Sequence, residues 1–101
     1  MHTITAEFRI IPGKEAEAEA AIRKVAQNVE ENEPGALKYI WHRGAKDPLQ
    51  ILVFEIYKDD EARTQHGASD YLKEFQSQFG TVFDPATVKL TRYDRIVAVD
   101  R

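Results

Sequence analysis

The 101-residue chain has no cysteine, which removes disulfides, thiolate catalysis, iron–sulfur clusters and cysteine-ligated zinc together. No stretch approaches the roughly 20 apolar residues that a membrane helix needs, and "MHTITAEFRII" alternates and reaches "PG" too early to supply the apolar centre of a signal peptide. A cytoplasmic protein with no membrane partner is the expectation. Excess positive charge is missing as well. The 14 Lys and Arg are scattered among 17 Asp and Glu for a net charge of −3, so no footprint for nucleic acid is present. There is no glycine-rich phosphate loop, nucleophile elbow or acidic calcium loop. The three histidines, His2, His42 and His66, are not paired at helical metal spacing. Neither a metal nor a cofactor is expected.

What is there, 43% hydrophobic and 31% charged residues, fits one domain spanning residues 1–101. Ile4, Ala6, Phe8 and Ile10 alternate with Thr3, Thr5, Glu7 and Arg9, the period of a half-buried strand that stops at Pro12-Gly13. From Lys14 to about Asn32, Ala18, Ala21, Ile22, Val25 and Val29 recur at helical spacing, behind an acidic first turn that suits the helix dipole. Pro34-Gly35 ends this helix. "ALKYIWHR" and "QILVFEIYK" read as a hairpin turned by "GAKDPL". Both strands carry bulk on both faces, and helices cover only one face of so small a sheet, so a second subunit is predicted on the other.

Asp59 is expected to cap a short helix that Gly67 closes in a left-handed conformation, with Ser69 capping the next helix. The last strand, from about Thr87 to Val99, is long and changes parity along its length, as a bulge or a change of partner requires. It is predicted to be an arm that crosses to the second subunit of a homodimer. The order β-α-β-β-α-α-β gives an α+β, ferredoxin-like sandwich, paired into a dimeric α/β-barrel.

Three groups carry candidate chemistry. Trp41 and Tyr39 share a strand face and would line either an aromatic pocket or the core. Glu55 points with Val53 and Tyr57, where burial without a partner is costly; an ion pair with Arg9, Arg43 or Arg92 is its structural role. His66, in the last turn of its helix, is either a dipole-stabilised cap or an acid/base group.

The ordered set "PGK", "EPGALKY", the "DP" turn and "VFEIYKDDEARTQHGASDYLKEF" resembles the antibiotic biosynthesis monooxygenase family, which includes quinol monooxygenases. The likeness runs from about Phe8 to Phe79. It implies a small dimeric barrel that oxidises a quinol or similar electron-rich aromatic with O2, using no metal, flavin or haem. In the family pattern a histidine stands at His66, a small or hydroxyl residue at Ser69, an aromatic anchor at Phe75, and a glutamate resembling Glu55 precedes an aromatic resembling Tyr57. The resemblance makes His66 the catalytic base, with Trp41, Tyr39, Tyr71, Phe75 and Glu55 around the substrate. The chain departs from the pattern by carrying Tyr71 and Leu72 where members often have a second histidine and a phenylalanine. It offers Gln76 and Gln78 where the haem-degrading branch has its ligand, and an amide is a poor haem ligand. Two other readings fit the same residues: an isomerase or other proton-transfer enzyme on a small carbonyl compound, and a noncatalytic dimer that binds a small ligand.

Overall fold

The alternating N-terminal segment forms the strand β1 (His2–Ile10) in the computed structural model, which describes residues 1–101. Gly13, at φ +90°, turns the chain into α1 (Glu15–Asn32), which buries Ala18, Val25 and Val29 from the expected stripe. The hairpin follows as β2 (Ala36–Arg43) and β3 (Gln50–Tyr57). Its loop is closed by bonds from Gly44 N to Gln50 O and from Gln50 N to Asp47 O. Then come α2 (Asp60–Ala68), α3 (Asp70–Gln76) and β4 (Phe83–Tyr93).

The four strands make one antiparallel sheet in the order β2-β3-β1-β4, which with three helices is the ferredoxin-like α+β arrangement. Register assigns the faces. Ala6 lies opposite Val53 and Leu90, and Val53 opposite Trp41. These residues share the face that the helices cover, because side chains directly opposite in a ladder point the same way. Phe8 is the hub of the core: its ring meets Trp41, Phe75, Phe79 and Phe83 at centroid distances of 5.0 to 6.3 Å. Burying side chains of this size stabilises by about 1.5–3 kcal/mol each. On the opposite face lie Ile40, Leu52, Phe54 and Ile56, among polar neighbours such as Thr3, Thr5 and Lys38. No helix is long and apolar enough to cross a membrane.

Two local expectations are corrected. Gly67 does not close α2 in a left-handed conformation: the only positive-φ residues are Gly13 and Gly80. α2 runs one residue beyond Gly67 and yields at Ser69, whose ψ of 144° is extended. The same serine caps α3, accepting from Leu72 N at 3.3 Å. The terminal strand also differs. β4 starts at Phe83, and its residues Lys89 to Tyr93 pair with β1 of the same chain. β4 is the edge strand of the sheet, so its outer edge is unpaired in this chain, and residues 94–101 follow it. Those residues have no regular structure, and Ile96, Val97 and Val99 are 97%, 81% and 80% exposed. The bulge lies earlier than the parity change, where the register with β1 shifts between Glu7 and Arg9.

Candidate functional site

The chain after α1 delivers a carboxylate to the interior. Glu33 is the C-cap of the helix, its own N–H bonded to Val29 O, and its side chain turns inward beside Pro34 and is 3% exposed. A carboxylate at the negative end of a helix dipole needs compensation, and α1 has no basic residue in its last turn. The compensation comes from later in the chain. His66 Nδ1 lies 3.1 Å from both Glu33 oxygens, and the Tyr71 hydroxyl donates to Glu33 Oε2.

His66 is positioned by α2. Asp59 accepts from Ala62 N at 2.8 Å and starts the helix; Ser69 Oγ donates to His66 O at 2.8 Å and fixes its end. The imidazole is 3% exposed, between the rings of Tyr39 and Tyr57 at 5.2 and 5.3 Å. Burial excludes the solvated helix-cap role. With Nδ1–H donated to Glu33, neutral imidazole keeps a free lone pair on Nε2. That nitrogen lies 3.9 Å from Glu55 Oε1.

Glu55 does not pair with Arg9, Arg43 or Arg92. Arg9 binds Asp47, Arg43 binds Glu19 and Arg92 lies beside His2. Glu55 instead accepts the Tyr57 hydroxyl at 2.5 Å. Burial holds its carboxyl above the ordinary glutamate range, outweighing the Tyr57 bond and the nearby His66 and Arg63 charges. Burial, with Glu55 alongside, pushes the Tyr39 and Tyr57 phenols far up, so both stay neutral. Burial and the Glu33 bond push Tyr71 up to about 12.

Tyr71, Glu33, His66, Glu55 and Tyr57 thus form one polar line, and part of it opens on a cavity of about 340 Å³. Tyr39, Glu55, Arg63 and His66 line the polar part, while Phe8, Trp41, Val53, Phe75, Phe79 and Leu90 line the rest. Five of the six expected site residues, His66, Trp41, Tyr39, Phe75 and Glu55, meet here. Tyr71 does not line this cavity; its hydroxyl is committed to Glu33. Gln76 reaches the wall, but Gln78 does not. Trp41 Nε1 is buried without a hydrogen-bond partner. It lies close enough to the Tyr39 hydroxyl to ease that phenol's ionisation slightly, yet makes no bond of ordinary geometry. Glu33 and Arg63 were not anticipated. The sequence clue to Glu33 was an acidic residue directly before a helix-ending Pro-Gly.

Solved structures share the whole arrangement of elements. A provisionally named antibiotic biosynthesis monooxygenase from Caulobacter crescentus superposes with a TM-score of 0.86 at 27% identity, covering 95% of this chain and 90% of that one. Provisionally named counterparts from Bacteroides thetaiotaomicron and Deinococcus radiodurans share the fold, with TM-scores of 0.87 and 0.82 at 18% and 19% identity. They cover 99% and 100% of this chain, and 93% and 98% of their own. No curated protein sequence matches. Residues 1–78 match the family described as antibiotic biosynthesis monooxygenase, a span holding every polar residue of the site, and the chain belongs to that family.

Proposed function

We propose that the chain is a monooxygenase that oxidises a quinol or similar electron-rich phenol with O2, working as a homodimer and without an added cofactor. The observation that carries this reading is His66, with Nδ1 held by Glu33 and Nε2 free, at the polar part of a cavity otherwise walled by aromatic and aliphatic side chains. Flat rings suit such walls through dispersion and offset stacking. Tyr39, Trp41 and Phe75 supply them.

His66 Nε2 takes the phenolic proton, and the resulting imidazolium is stabilised by Glu33. The phenolate gives one electron to O2, the radical pair combines to form a carbon–oxygen bond, and the resulting peroxide anion takes back the proton held by His66 to become a ring hydroperoxide. Loss of water then breaks the O–O bond and the C–H bond at the same ring carbon: one oxygen atom stays as a quinone carbonyl, and the other leaves as water with the ring proton. The ring supplies both electrons that the second oxygen atom requires.

Oxygen uptake with a quinol panel, after chelator treatment, tests the reading. One O2 is expected per quinol oxidised, and His66→Ala is expected to lower turnover by about 10²- to 10⁴-fold with folding retained. His66→Gln keeps hydrogen bonding but takes up no proton at neutral pH. A fully active His66→Gln with an unchanged pH–rate profile overturns the base assignment. Isomerisation of a carbonyl compound without oxygen uptake overturns the monooxygenase.

A further inference from the structure

We propose that Arg63 is the anion-binding residue of the cavity, receiving the ionised oxygen of a phenolic ligand beside His66 and Glu55. The assignment rests on the monooxygenase reading for its role in turnover, but its geometry stands separately. Arg63 precedes His66 by one turn of α2, and both line the cavity. A guanidinium offers five donors, yet Arg63 forms no ion pair, whereas Arg9, Arg23 and Arg43 each meet a carboxylate. Its side chain makes no hydrogen bond either.

The position is nevertheless built. The guanidinium carbon lies 5.7 Å from the Tyr57 ring centroid, a cation–π contact that holds it without neutralising it. Gly67 leaves the space it occupies: a Cβ there would lie 3.2 Å from Arg63 Nη1. The nearby carboxylates are already engaged. Glu33 accepts from His66 and Tyr71, Glu55 accepts from Tyr57, and Asp60 pairs with His2. Asp59 caps its own helix. Arg63 is therefore the one side chain of the lining that carries an uncompensated positive charge, so the cavity is short of acceptors.

That imbalance selects a ligand. An apolar ring with an acidic hydroxyl fills the aromatic walls and places its oxygen at the polar part. Transfer of its proton to His66 leaves imidazolium against Glu33 and phenolate against Arg63, two compensated pairs formed with no net change of charge. The groups facing the phenolate are Tyr39 from β2, Glu55 from β3, His66 from α2 and Gln76 from α3, with Glu33 behind His66 and Tyr57 behind Glu55. Of the carboxyls, Glu55 is the one that opposes an anion directly, and burial favours its neutral form.

The test uses para-nitrophenol, whose ionisation is visible in its own absorbance, and its methyl ether para-nitroanisole, which cannot ionise. Trp41, the one tryptophan in the chain, lines the cavity, so quenching of its fluorescence reports occupancy without turnover. Bound para-nitrophenol is expected to ionise at lower pH than the free compound. Arg63→Gln is expected to weaken phenolate binding about tenfold or more, while leaving para-nitroanisole binding unchanged. Arg63→Lys retains part of the preference. Equal loss for both probes would mean that Arg63 only packs on Tyr57, and this overturns the assignment, as does quenching by neither probe. Oxygen uptake with quinols separates the two readings. Phenolate binding through Arg63 without oxygen uptake removes the monooxygenase and keeps the anion site, whereas uptake with binding indifferent to Arg63→Gln does the reverse.

Discussion

Glu33 places a carboxylate where α1 ends, a position that favours cations, and the arrangement is useful only because His66 meets it there. Glu33→Gln keeps the shape but presents an amide donor to Nδ1, which favours the other imidazole tautomer. Turnover of a quinol is expected to fall by about 10²- to 10⁴-fold, by analogy with loss of the orienting carboxylate in a triad. The pH–rate profile should move, a displacement that simple loss of packing does not cause. Glu55 makes a different prediction. Folded Glu55 releases its proton at a higher pH than an unfolded glutamate does, so across that interval the folded chain holds the extra proton and stability falls as pH rises. The contribution is whole below the ordinary glutamate pKa and lost once pH passes the raised one. Glu55→Gln, still able to accept the Tyr57 hydroxyl, should flatten this slope in melts taken from acid to neutral pH and leave the protein at least as stable at neutrality. His66 was legible because histidine is scarce here and stood at a helix end. Glu33 was not, because in "VEENEPG" it is one acid among several and only tertiary folding distinguishes it.

At the scale of elements, Ser69 joins two helices that both carry site residues. Its hydroxyl donates to His66 O and accepts from Leu72 N, so Ser69→Ala should cost about 1 kcal/mol in denaturant unfolding. Gly35 answers to sterics alone: a Cβ there would lie 2.6 Å from Ala62 Cβ, in the seam between β2 and α2. Gly35→Ala should cost about 1–3 kcal/mol by overpacking. Most elements were legible from period, since alternation in β1 and three- and four-residue spacing in α1 leave no competing choice. Gly67 was misread because a glycine permits a left-handed turn without requiring one, and the real break lies where a serine side chain replaces backbone partners. The start of β4 was hidden by Pro85, which argues against a strand. The shift in register accommodates it: Arg9 N finds Thr87 Oγ1 at 2.9 Å instead of a regular ladder partner.

For the whole molecule, the expected homodimer is checked by sedimentation, with a stable monomer at micromolar concentration as the contrary result. Removing the residues after Arg92 takes away the exposed Ile96, Val97 and Val99 and should weaken the dimer, because the outer edge of β4 and the second sheet face lose apolar cover. The doubly apolar strands made the second apolar sheet face legible; the true bounds of β4 were not, because its pairing with β1 starts at Phe83 and ends at Tyr93. The central place of β1 has a further consequence, for synthesis. Its neighbours in the sheet are β3 and β4, and Thr3 pairs with Ile56 on one side and Tyr93 on the other. On the ribosome β1 emerges before both of its partner strands and must wait for β4 before both of its edges are satisfied. Until then Phe8 has no aromatic cluster to enter, and a sticky strand stays open while slow, non-local pairing is completed. The nascent chain should therefore depend on a holding chaperone far more than its modest length implies, and pulse-labelled chains stalled before Phe83 should bind one where full-length chains do not.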